Sequence, residues 1–176
     1  MSDLVKAAGA EQPGYELVPS GPPYPADRLG EDQEDNGTMP ENVEQLAEYV
    51  VGRRIVSALP GQIDRGPGEY PRVLKGLILT LDNSVSVVIA DSSDCCAYTE
   101  LEQFLLHPER VDHIITGVAT TEGYTRWHIY ADAGDVLELT VSWSSGNAFY
   151  YGYGFDIAVG PIEGEVIELA AIESGH

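Results

Sequence analysis

The chain has only two cysteines, Cys95 and Cys96, and they are adjacent. Neighbouring thiols cannot staple distant segments, so a disulfide framework is excluded and a reducing compartment is the natural setting. Basic side chains are also scarce: nine Lys and Arg stand against 29 Asp and Glu, a formal net charge of -20. Such a field repels phosphate backbones, which argues against direct nucleic-acid binding and against attraction to anionic lipid. No apolar run approaches the ~18 residues of a membrane span. The opening "MSDLVKAAGAEQPGYELV" lacks the basic segment and apolar stretch of a secretory signal. The sequence also has no Gly-x-Ser-x-Gly elbow and no phosphate loop; "GYGFD" holds only Gly-x-Gly.

What is present is unevenly placed. Residues 1–44 hold ten acidic and two basic side chains, and residues 163–176 hold Glu163, Glu165, Glu168 and Glu173 with no Lys or Arg. Residues 1–41 mix proline, glycine and acid with few aliphatics, a composition that cannot bury enough surface to offset its ordering entropy. They are expected to form a disordered acidic tail, with Tyr15 and Tyr24 as potential contact points. A single β-rich domain is expected over 42–162, followed by an acidic tail over 163–176.

Asn42 is placed to cap a short helix "VEQLAEYVV", with Gln45 completing a capping box and Gly52 ending it. Alternatively, Val50 and Val51 already begin the first strand. Beyond this point the apolar period switches to two. "RRIVSAL" (53–59), "VLKGLILTL" (73–81), "VSVVIA" (85–90), "VDHIITGVAT" (111–120), "YTRWHIYA" (124–131), "VLELTVSW" (136–143) and "FDIAVGP" (155–161) read as strands. "DNS" (82–84) and "DAGD" (132–135) suit hairpin turns. In 136–143, Leu137, Leu139, Val141 and Trp143 share one face while Glu138, Thr140 and Ser142 share the other, a strand with one wet side. "YTELEQFLLHPER" suggests one or two helical turns before Pro108. The expected fold is mainly β with minor helix: an antiparallel sandwich or barrel-like sheet of six to seven strands.

Several groups could carry chemistry. Cys95 and Cys96, followed by His107 and His113, offer metal ligands, although adjacent cysteines lack the spacer that turns two sulfurs toward one zinc ion. His113 and His128 lie in apolar strand runs. Ser-His-Asp combinations can be drawn from the serines of "SWSSG", these histidines and Asp82, Asp91 or Asp94, but no motif singles one out. The carboxylate pairs Asp91 with Asp94 and Asp132 with Asp135 fit turns, where the side chain bonds nearby backbone, as readily as they fit calcium. No catalytic residue is assigned and no cofactor is expected. The segment "GNAFYYGYGF" (146–155) interleaves tyrosine with glycine, which suits a recognition loop; Asn147, Tyr150, Tyr151 and Tyr153 are its candidate binding residues. The competing reading packs alternate rings inward on a last hairpin.

The series "VVGRRIVSAL", "LILTLDNSVSVVIADSSDCCAY", "ITGVAT", "WHIYAD", "LELTV" and "GNAFYYGYGFDIAV" resembles a small uncharacterised domain family of actinobacteriophage proteins over residues 49–160. Ser84 stands where that family's hairpin glycine is expected, and Cys95 and Cys96 are adjacent rather than separated. The resemblance implies a phage-encoded protein acting in the host cytoplasm. With the acidic ends and the lack of a catalytic motif, the expectation is a non-enzymatic accessory protein that binds a host or phage protein. A virion decoration component, and a small metal-binding protein or enzyme using the Cys95/Cys96 loop, are the alternatives.

Overall fold

A computed structural model describes residues 23–64, 67–68, 73–94, 96–146, 154–160 and 166–168. Two open antiparallel sheets face one another, and among the described residues no barrel closes. The first sheet orders its strands β10 (Val166–Glu168), β1 (Ile55–Asp64), β2 (Val73–Leu81), β3 (Ser86–Ala90) and β9 (Asp156–Val159). The second orders β4 (Ser92–Asp94), β5 (Ala97–Leu106), β8 (Gly134–Ser144), β7 (Arg126–Ala131) and β6 (Gly117–Thr121). Among the described residues a single α-helix, α1 (Met39–Val50), packs against the edge strands β6 and β9, and so covers one open side of both sheets.

Alternation builds the core. Leu77 and Leu79 of β2, Val87 and Ile89 of β3, Trp127 and Ile129 of β7, and Leu137 and Leu139 of β8 are fully buried between the sheets. Each such side chain contributes roughly 1.5–3 kcal/mol by leaving water. On β8 the apolar and polar faces divide as the sequence pattern predicts, with Glu138, Thr140 and Ser142 on the outer face.

Four local expectations are corrected. Residues 97–106 form a strand rather than helical turns. β5 pairs along β8, and the register slips between Leu101 and Gln103, so Glu102 is an extra residue in the ladder. That bulge carries the inward series Ala97, Thr99 and Leu101 on to Phe104 and Leu106, and the three-residue step imitates helical spacing. Second, β1 runs on through Pro60 and Gly61 to Asp64, past the end of the strand expected over 53–59. Third, His113 lies in a turn before β6, not in a strand. Fourth, the helix begins at Met39 with Pro40 in its first turn, and Thr38 at the cap makes no side-chain bond. Asn42 is therefore inside the helix and buried. Its carboxamide donates to the Phe155 carbonyl at 2.9 Å and accepts from the Phe155 amide at 2.8 Å, tying α1 to the entry of β9. Gly52 closes the helix as expected, its amide donating to the Ile115 carbonyl at 2.8 Å.

Part of each segment expected as a tail falls among the described residues. Residues 1–22 lie outside the described residues, but 23–38 follow a fixed path over the second sheet, held by contacts described below. In the C-terminal segment, Val166–Glu168 extend the first sheet by pairing with Gly61–Ile63. Backbone pairing places Val166–Glu168, and hydrogen bonds to distant residues hold 23–38, neither of which a count of local aliphatics registers.

Candidate functional site: a polar cluster under the N-terminal arm

The turn joining β6 to β7 organises this region. Glu122, Gly123 and Tyr124 all take positive φ, at 58°, 66° and 62°. Left-handed backbone costs energy at residues other than glycine, so the surroundings must hold it. They do so from both sides. The Asp27 carboxylate accepts from the Gly123 amide at 2.9 Å and from the Tyr124 amide at 2.7 Å. The Gly123 carbonyl accepts from the Trp143 indole at 2.7 Å and from the Gln33 carboxamide at 2.7 Å, and the Tyr124 carbonyl accepts from the Trp127 indole at 3.0 Å. A Cβ at position 123 would run into Gln33 and the Gly30 backbone, so only glycine fits there. Burial beside the Asp27 charge pushes the Tyr124 phenol above its ordinary pKa.

With the turn fixed, the outer face of β7 and β8 receives the arm. Tyr24 lies flat on His128, ring centroids 4.1 Å apart and planes 19° apart, and tilts against Tyr130 at 5.6 Å. Its hydroxyl donates to the Asp135 carboxylate. Burial first, and that bond second, raise the Tyr24 pKa well above the usual phenol value. The His128 ring is held edge-on by two partners: Nδ1 lies 2.9 Å from Asp135 Oδ2, and Nε2 lies 2.9 Å from Thr121 Oγ1. Glu138, opposite His128 in the β7–β8 ladder, meets His107 Nε2 at 2.6 Å and the Arg126 guanidinium at 3.3 Å. Arg110 donates to the Asp135 backbone carbonyl at 2.9 Å.

The result is a cluster in which one ligand atom each from His128, Asp135 and Glu138 lies within 4.8 Å of the others. Two chemistries are open to it. An imidazole set between a hydroxyl and a carboxylate is an acid–base relay, though the Tyr24 ring lies over it. Converging nitrogen and carboxylate oxygens also form a ligand set for a cation.

The residues singled out from the sequence are scattered. Asn147, Tyr150, Tyr151, Tyr153 and Cys95 lie outside the described residues. Cys96 is exposed at the start of β5. His107 follows the other end of that ten-residue strand, about 30 Å away at strand rise. His113 pairs with Asp132 at 2.7 Å on the β7–β8 hairpin, and this bond lowers the Asp132 pKa. Cys96, His107 and His113 are thus not brought together. His107 instead joins the cluster through Glu138. Sequence reasoning missed the grouping of His128 with Glu138. The "DAGD" hairpin brings position 128 only near 138 by counting; the register slip between Ile129 and Tyr130, which the sequence does not mark, sets the two directly opposite.

A match to the domain of unknown function DUF7448 covers residues 48–157. The chain belongs to the DUF7448 family. No curated protein and no solved structure matches it. Thr121, His128, Asp135 and Glu138 fall within the DUF7448 match, whereas Tyr24, Asp27, Gln33 and Asn42 precede it. The covering arm and most of α1 therefore lie outside the matched residues. Among the described residues, no helix is long and apolar enough to cross a membrane.

Proposed function

We propose that this DUF7448 protein is a non-enzymatic phage accessory protein that binds a host or phage protein in the host cytoplasm. One observation carries the reading. A sandwich sheet needs one apolar face, yet the first sheet has two. On its outer side Leu74, Val88 and Ala90 form a second apolar cluster with Ile78, and Leu59, paired with Ile78 in the ladder, is 46% exposed beside them. Leu74, Val88 and Ala90 are themselves buried there, so the apolar surface this face offers to a partner is centred on the exposed Leu59. The net charge of -20 favours a basic partner and fast, salt-sensitive association. The phage setting rests on the motif resemblance over 49–160, and the Tyr/Gly segment 147–153 remains the other candidate contact.

The test is capture from actinobacterial lysate at low and high salt, with wild type beside Leu59→Lys. Leu59 is exposed, so its replacement spares the core. A partner held by wild type at low salt, weakened by salt and lost on the variant is the expected result. Equal capture by both chains removes the proposed surface. Mass spectrometry of purified particles addresses the virion alternative: the accessory role expects no stoichiometric copy there.

A further inference from the structure

We propose that His128, Asp135 and Glu138 bind one first-row divalent transition-metal ion, with zinc as the working probe. The three residues come from neighbouring strands, β7 and β8, and their donor atoms already lie within 4.8 Å of one another. Ligands about 2.1 Å from a tetrahedral ion are roughly 3.4 Å apart, so small rotamer shifts suffice. Two carboxylates and a neutral imidazole match a 2+ charge. The nitrogen ligand disfavours calcium and magnesium, which take oxygen, and favours zinc and its neighbours.

The surroundings resemble an outer ligand shell. Thr121 Oγ1 lies 2.9 Å from His128 Nε2, placed to accept its proton once Nδ1 turns its lone pair to the ion. Tyr24 donates to Asp135, leaving the second carboxylate oxygen for metal. On Glu138, His107 Nε2 at 2.6 Å bonds the carboxylate and orients it from outside the ligand set. Arg126, at 3.3 Å from the other Glu138 oxygen, limits the affinity through repulsion. This site is separate from the apolar face above. Its failure would leave the protein-binding reading standing, and the reverse also holds.

Full-length protein expressed with zinc and purified without chelator should carry about one zinc per chain by elemental analysis. The isosteric variants Asp135→Asn and Glu138→Gln should each weaken zinc binding at least tenfold in competition with a chromophoric chelator. The double variant Cys95→Ser/Cys96→Ser and the variant His113→Ala should bind as wild type does. If either isosteric variant misfolds by circular dichroism, cobalt-loaded wild type decides. The expected spectrum has d–d bands of nitrogen and oxygen ligation and no thiolate-to-cobalt charge-transfer band. Absence of stoichiometric zinc from wild type, binding that survives both isosteric changes, or loss of zinc in the cysteine variant overturns the proposal.

Discussion

Asn42 binds both the amide and the carbonyl of Phe155, acting from within a helix as one more rung of a β-ladder. The rung joins the segment ahead of the DUF7448 match to its last strand, and Gly154 makes room for it, because a Cβ there would collide with the Asn42 side chain. Deleting the carboxamide leaves a buried donor and acceptor without partners. Asn42→Ala should therefore cost about 2–4 kcal/mol in urea unfolding. Asn42→Asp keeps the acceptor but sets a charge against the Phe155 carbonyl, and should cost at least as much at neutral pH.

Asp27 clamps the left-handed turn at Gly123 and Tyr124 from outside. Removing its carboxylate leaves two amides to water and frees the arm that lays Tyr24 on His128. Asp27→Ala should lower stability by about 2 kcal/mol, since charge-assisted bonds are the stronger kind. Hydrogen exchange at Gly123 and Tyr124 should accelerate well beyond that of the β8 core amides. Unchanged protection at those two positions would show that the tryptophan bonds alone hold the turn.

Asp91 sets a pH dependence. Burial raises its pKa from 3.8 to about 6, against the partial help of the Leu101 amide, which donates to its carboxylate at 2.9 Å. The folded protein thus holds the proton more tightly than the unfolded chain does. The stabilising contribution is complete below about pH 4 and is lost as pH rises through about 6. Asp91→Asn retains the acceptor without the charge. At pH 7.5 it should be more stable than wild type by about 1 kcal/mol, a figure reduced for partial exposure of the group, and the gain should vanish at pH 4. Urea midpoints of the two proteins at both pH values give the comparison.

The strands were legible wherever both faces of the pattern were intact. β2 spans Val73–Leu81 as its apolar run predicts, and β8 alternates dry and wet from Leu137 to Ser144. β5 was not legible, because the bulge at Glu102 breaks the period at its middle. The arm was not legible for another reason. Tyr24 and Asp135 are 111 positions apart, and a composition rule that counts local aliphatics is blind to a carboxylate meeting two distant amides. Half of the polar cluster was visible: Glu138 was assigned to a wet face and His128 was noted, but the hairpin register that opposes them was not drawn out.

Ser84 offers a last test, since it takes a left-handed position in a hairpin turn, which glycine fills without strain. The turn between β2 and β3 closes with the Ser84 amide donating to the Leu81 carbonyl at 3.0 Å and the Leu81 amide to the Val85 carbonyl at 2.9 Å. Within it Ser84 takes φ 65°, the left-handed region in which a side chain meets its own backbone. Glycine removes that penalty of about 1–2 kcal/mol, while its freer unfolded chain returns part of the gain. Ser84→Gly should therefore stabilise the protein by about 0.5–1 kcal/mol, with no change in its far-UV circular dichroism. Ser84→Val places a β-branched side chain in the same backbone and should destabilise by about 1 kcal/mol or more. If the two variants melted together, the left-handed turn at Ser84 would not be the conformation in solution.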